Sequence, residues 1–539
     1  MKKWLGIFLL FVALVTLSAC NFGKKSEEAK DVENKKELNI AIPSDPPSFH
    51  PALATDLISG EILASVFEGL TRLDPEGNPE EAMAETIDVS DDGKTYTYHL
   101  RDAMWSNGDP VIADDFIYAW MYALNPENGA NYAYQLYFIE GAEAYNTGEG
   151  TEGEVGVKAI DDQTLEVKLN GPTPFFNELT SFFTYYPVNS KYAEENPDWY
   201  KNPGTESYIG NGPFVLSEFA SSDHLTLAKN DDYWDKNNVA LDQVNVRVIE
   251  SSSTSLREFQ AGNLDFLGGP FNGIDLNAVD QMREEGKLQT SDMAGLYLLS
   301  FNTNAEFIEN ENIRKALTIA IDREGLIKNV VKGEGKPAIG YVPPTMVGFE
   351  KSADYYQSND IETAKAALDQ GLKELGLTKP SDIKLDLAYN TSESHAAIMQ
   401  FIQEGWTKNL GVEVSLSNSE WQVHLEKMQE GDYQVARGSW IADFNDPINF
   451  LEIYRTLGGN NRSGWTDETY TELIDKATVE QNEETRTKLL QDAEAILMGE
   501  YVLSPVYFSS NSSTKQDNVK NMKEDLYGHV QLKYVDIEE

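Results

Sequence analysis

The chain has 539 residues, too many for one ordinary core, and its 41% hydrophobic and 24% charged residues fit a folded protein of two or three domains. Its 89 acidic against 43 basic residues leave a net charge of −46, which argues against a nucleic-acid partner or a polybasic membrane footprint. A single cysteine excludes intramolecular disulfides.

At the start of the chain, Lys2 and Lys3 precede an apolar run from Trp4 to Leu17, too short to span a bilayer but suited to a signal segment. The following Leu17-Ser18-Ala19-Cys20 resembles a bacterial lipobox. That resemblance implies a leader over residues 1–19, cleaved before a lipidated Cys20. Residues 20–36 are polar and charged, as in a flexible tether.

The folded part is expected to begin with a strand over Leu38–Ile42, followed by a helix over Ile58–Leu70. Asp91-Asp92-Gly93 between two alternating runs marks a hairpin, and Asp114-Asp115 opens a helix stopped by Asn125-Pro126. Aromatics crowd Tyr132 to Phe138, and the chain stays apolar and aromatic from Leu165 to Val188. Strands are expected at Phe214–Leu216, Leu225–Ala228, Val244–Ile249 and Leu264–Leu267, where Gly268-Gly269-Pro270 marks a passage from one lobe to another. Leu296–Phe301 reads as a strand, Asn312–Ala320 and Arg323–Val331 as helices with Asp322 as a cap and Gly333 as a stop. Ile361–Leu375 is a further amphipathic helix, and Val502–Phe508 and Leu532–Val535 read as strands.

Between Ile383 and Arg437 three strand patterns (Ile383–Tyr389, Val412–Leu416 and Asp432–Arg437) alternate with helical ones near 393–409 and 419–430. This spacing predicts a parallel sheet with crossover helices, whose ligands lie beyond the carboxyl ends of the strands. Ser439-Trp440-Ile441-Ala442-Asp443 is expected to be a loop at one such end, with His395 at another, where a helix begins. An acid beside an indole, facing a helix N-terminus, suits a zwitterion such as a peptide.

Asp91 to Arg101 (DDGKTYTYHLR), Trp105-Ser106-Asn107-Gly108, Ala113 to Phe116, Gly210 to Phe214, Tyr389 to Ser392, and Ala436 to Asp443 with Pro447 together resemble the oligopeptide-binding proteins of peptide ABC importers. The resemblance covers the whole mature chain. It implies an α/β fold of the two-lobed periplasmic-binding-protein kind (type II), with an additional inserted domain and lobes joined by two crossovers. Lobe I would be 37–67, 192–290 and 509–539, the inserted domain 68–191, and lobe II 291–508. The same resemblance implies that Asp443 takes the peptide α-amine, while Ser439, Trp440 and Ile441, with Thr55 and Leu57, hold the peptide main chain. Arg437 and His395 would read the carboxyl end, Trp421 and Leu425 would wall side-chain pockets, and Tyr132 and Gly269 would also touch ligand. Two basic positions of some family members fall here on Met428 and on Asn329 or Val331.

The implied partners are short peptides, the permease subunits of a membrane ABC importer, and the extracytoplasmic face of the plasma membrane through Cys20. A monomer without cofactor, metal or nucleic acid is expected. The chain has no Gly-x-Ser-x-Gly, His-Glu-x-x-His, Cys-x-x-Cys or phosphate-loop motif, and its six histidines show no metal-ligand spacing, so no enzyme is expected. Two alternatives keep the fold: a receptor for a nickel chelate, haem or oligosaccharide, or a receptor for a peptide signal.

Overall fold

The computed structural model describes residues 35–538 except 202, 205–206, 334 and 350–353. The leader and Cys20 lie outside the described residues. Residues 36 onward form one compact unit.

Alternating apolar residues place Glu37–Ile42 in a four-stranded sheet, with Leu38, Ile40 and Ile42 in the core. This strand pairs in parallel with Gln243–Val248, which runs antiparallel to His224–Lys229, and that in turn to Phe214–Ala220. Between the first strand and the other three the chain makes a separate antiparallel sheet from Ala84–Val89, Thr95–Leu100, Thr164–Lys168 and Val157–Asp161. The hairpin turns at Gly93, whose φ of 68° suits glycine.

A larger mixed sheet has the order Phe266–Leu267, Leu503–Lys515, Gln289–Phe301, Val435–Ile441, Lys384–Asn390, Glu413–Ser419, with Lys336–Pro337 also pairing with Leu503–Lys515. Its last three strands are parallel, and the helices Glu393–Leu410 and Trp421–Glu430 cross between them, as the alternation predicts. The longer helix buries Ile398, Met399, Ile402, Trp406 and Leu410 on one stripe and ends at Gly411, with φ 79°. The Asp322 cap is also present, its carboxylate accepting from the Gly325 N–H at 3.0 Å.

Several elements differ from expectation. The segment Ser439–Ile441 is strand, because Tyr297, Leu296 and Gly295 pair with it across the sheet. The long strands Gln289–Phe301 and Leu503–Lys515 run side by side, and their ladder breaks register between Asp292 and Leu296. Phe266–Leu267 merely joins the far end of that ladder, opposite Lys515 and Thr514. Leu532–Tyr534 is a single 3₁₀ turn, and the chain pairs only afterwards, Asp536–Ile537 lying antiparallel to Val519–Lys520. The helix after Asp322 widens to a π-helical turn over Ile327–Val331 and is stopped by Lys332 in the left-handed region, not by Gly333.

Candidate functional site

A cavity of about 940 Å³ is lined on one side by residues of 43–58 and 248–271 and on the other by residues of 390–443. It is at the upper end of small-molecule sites, which run to roughly 1,000 Å³. Thr55, Leu57, Tyr132, His395, Trp421, Leu425, Arg437, Ser439, Trp440, Ile441 and Asp443 all line it. Gly269 does not: the turn it belongs to presents Pro270 and Phe271 instead.

Asp443 follows the end of the central strand and is partly buried. Its Oδ2 accepts from Gln135 Nε2 at 2.6 Å and from Asn449 Nδ2 at 3.0 Å. Among the described residues Oδ1 has only the Tyr132 hydroxyl, at 3.5 Å, which leaves that oxygen with capacity for a further donor. Fully buried Asn449 also accepts from the Asp443 N–H at 3.0 Å and from Trp440 Nε1 at 3.1 Å, so one amide fixes both the acid and the indole. Burial pushes the Asp443 carboxyl up to about 7, against the opposing pull of Asn449, the nearby His529 charge, Gln135 and Tyr132. His529 is itself buried, which disfavours its charge, but Glu61 at 2.6 Å outweighs that and lifts it to about 9.

Beside Asp443 the strand Val435–Ile441 has an open edge. On one side it pairs along its whole length with Gly295–Phe301, but its parallel neighbour pairs only with Val435 and Ala436. From Arg437 to Ile441 no strand among the described residues covers the second edge, and one of its carbonyls, that of Arg437, is met by His424 Nε2 at 2.9 Å.

At the other end the Arg437 guanidinium lies 4.9 Å from the centre of the Tyr297 ring and reaches Asn390 Oδ1 at 3.4 Å. His395 contacts the Tyr297 hydroxyl at 3.2 Å. Burial, then the charge of Arg437 and the neighbouring His424, hold His395 well below its ordinary range, so it lines the cavity as a neutral ring and not as a cation. Next to it, Glu393 crosses to the facing side: it accepts from Ser251 Oγ at 3.1 Å, Ser252 Oγ at 3.0 Å, and Ser253 N and Oγ at 3.2 Å. Burial alone would raise the Glu393 carboxyl, but these donors hold it below the usual range.

Gln135, Asn449, Arg462, His529, Phe182 and Phe183 are site residues that the sequence reading did not single out. Gln135 and Asn449 did leave a signal, each being one amide inside an otherwise apolar or aromatic run.

Among solved structures, Listeria monocytogenes OppA bound to peptide matches with a TM-score of 0.86 and 30% identity over 94% of this chain and 100% of that one. The Escherichia coli murein tripeptide binding protein MppA, 28% identical over 94% of this chain and 99% of its own, matches with a TM-score of 0.87. In its unliganded open form, which covers 94% and 98% of the two chains at 28% identity, the TM-score falls to 0.61. Rigid lobes at a different mutual angle cannot be superposed together, so this chain shares the lobe arrangement of the peptide-bound Listeria protein and not the open one. The fold is thus that of a two-lobed, type II periplasmic-binding-protein-like receptor with an inserted domain. The oligopeptide-binding protein OppA of Bacillus subtilis (strain 168) is 47% identical over 528 residues, 97% of each chain. Residues 78–462 match the model of the bacterial extracellular solute-binding proteins, family 5. The chain belongs to that family.

Proposed function

We propose that the protein is an extracytoplasmic receptor that encloses short peptides between its lobes and delivers them to a membrane ABC importer. The observation that carries this reading is the uncovered edge from Arg437 to Ile441 ending beside Asp443. An extended chain can add to such an edge through main-chain hydrogen bonds, which all peptides offer whatever their sequence. Asp443 then takes the α-amine through Oδ1, with Tyr132 and Trp440 shaping the space around it. Thr55 and Leu57 contact the main chain from the other lobe, and Arg437 takes the carboxylate at the far end. Trp421 and Leu425 wall side-chain space.

In this reading lobe I (37–67, 192–290, 509–539) carries one four-stranded sheet and the inserted domain (68–191) the other, while the seven-stranded sheet of lobe II (291–508) continues into lobe I through 266–267, 289–290 and 509–515. Closure rotates the lobes about the paired strands Gln289–Phe301 and Leu503–Lys515, with the Glu393–serine contact forming as they meet. Among the described residues no helix is long and apolar enough to cross a membrane, and a lipid on Cys20 supplies the attachment in this reading. The receptor acts as a monomer and without turnover of its ligand.

Mass spectrometry of small molecules released by denaturing the purified protein tests the ligand class. Short peptides with free amino termini are expected. A sugar, haem or metal chelate as the retained ligand would overturn the reading.

A further inference from the structure

The buried and half-buried arginines fall into two kinds, with two exceptions. Arg72, Arg455 and Arg486 pair with carboxylates, at 2.7 Å to Glu68, 2.5 Å to Glu143 and 2.7 Å to Asp446. Arg314 and Arg323 have no acid partner but spread their donors over main-chain carbonyls, those of Tyr501, Glu500 and Ile308 for the first and of Pro505 and Thr318 for the second. Arg437 and Arg462 do neither. Arg462 donates to Asn460 at 3.2 Å, Arg437 donates to Asn390 at 3.4 Å and also meets Tyr297, and among the described residues the Nε of each is buried without a partner.

Both arginines line the main cavity and also a side pocket of about 60 Å³ that shares Trp421, Leu425, Ser439 and Trp440 with the cavity wall. The hydroxyls of Tyr132, Tyr433, Tyr134 and Tyr454 lie within electrostatic reach of Arg462, and burial lowers the guanidinium below its ordinary range. A desolvated cation with idle donors is costly unless a counter-charge completes it. In a chain with 89 acidic residues the missing counter-charge is not for want of carboxylates. The pocket lies between the two ends of the site: Arg462 is close enough to act on Tyr132, whose hydroxyl meets Asp443, while Arg437 on the same wall stands at the far end. Its volume, about 60 Å³, admits roughly four or five heavy atoms, the size of a carboxylate side chain and too little for an aromatic one.

We infer that Arg462 is an anion subsite for an acidic side chain of the bound peptide, and that it sets a preference for aspartate- or glutamate-containing ligands. This rests on the peptide reading above. A planar guanidinium with free donors forks onto a carboxylate, which distinguishes it from the isosteric amide.

The test is calorimetry with tetrapeptides carrying Glu or Gln at position one, two or three, each with a free or an amidated carboxyl terminus, on the wild-type protein and Arg462→Gln. At one position the Glu peptide should bind wild type roughly ten- to hundredfold tighter than its Gln counterpart, as for a hydrogen bond to a charged group. Amidation should preserve that ratio, and Arg462→Gln should bring it to about one. The ratio within each protein cancels any general weakening, and the wild-type ratios decide even if the variant folds poorly. A wild-type ratio near one at every position, or one that persists in Arg462→Gln, would overturn the subsite. A preference that vanishes on amidation would give the site to the tail carboxylate and overturn the side-chain assignment. Failure of wild type to bind any tetrapeptide would instead overturn the peptide reading itself.

Discussion

Proton uptake at Asp443 makes peptide capture sensitive to pH, in a window set by the site itself. In the closed but empty cleft the carboxyl sits at about 7, raised by burial, so in that state at pH 6 about nine-tenths of the molecules carry the proton. A peptide ammonium pairs only with the ionised form, and binding at pH 6 should therefore release close to one proton. Below about pH 7 each further unit should weaken affinity about tenfold. Above about pH 8 affinity falls again as the peptide amine, pKa ~7.7–8.0, loses its own proton.

For folding the sign is the reverse. A carboxyl raised from ~3.9 in the unfolded chain to about 7 retains a proton in the native state across that window, so the ligand-free protein loses this contribution to stability as pH rises through it. Asp443→Asn should lose the acidic limb of the binding profile and bind more weakly near neutrality, by about 2–5 kcal/mol. Isothermal titration in buffers of different ionisation enthalpy measures the proton directly. Enthalpies independent of buffer at pH 6, with affinity flat from pH 6 to pH 7.5, would refute the reasoning.

Two further outcomes are expected. Asn449→Ala leaves the Asp443 N–H and the Trp440 indole N–H without their shared acceptor, and should lower stability by about 1–3 kcal/mol in thermal melts while weakening peptide binding. Glu393→Ala removes the acceptor for three serines across the cleft mouth, and stopped-flow measurements should show faster peptide release with little change in association.

Much of the second lobe was legible because local pattern and tertiary pairing agree there. The alternation from Ile383 to Arg437 yields the three parallel strands and both crossover helices, each closed by a glycine at positive φ, Gly411 and Gly431. Ser439–Ile441 was misread as loop because its strand character comes from Gly295–Tyr297, about 140 residues away in sequence, and nothing local announces that partner. The reverse happened at Leu532–Tyr534, which closes into a 3₁₀ turn, the strand pairing being taken up only by Asp536–Ile537. Of the site, the residues on the central strand could be placed from chain order and resemblance. The neutral state of His395 could not, since it depends on burial beneath Tyr297 and on the charge of Arg437. Nor could Arg462, whose meaning lies in the carboxylate it lacks.

Capture of a free amino terminus by Asp443 is tested most directly by comparing a short peptide with its N-acetylated form, by calorimetry on the wild-type protein and on Asp443→Ala. The expected result is that acetylation weakens wild-type binding by at least ~30-fold, the lower end of the cost of losing one partner of a buried charge pair, and matters little in Asp443→Ala. Equal affinity of wild type for both forms would contradict the amine-capture role.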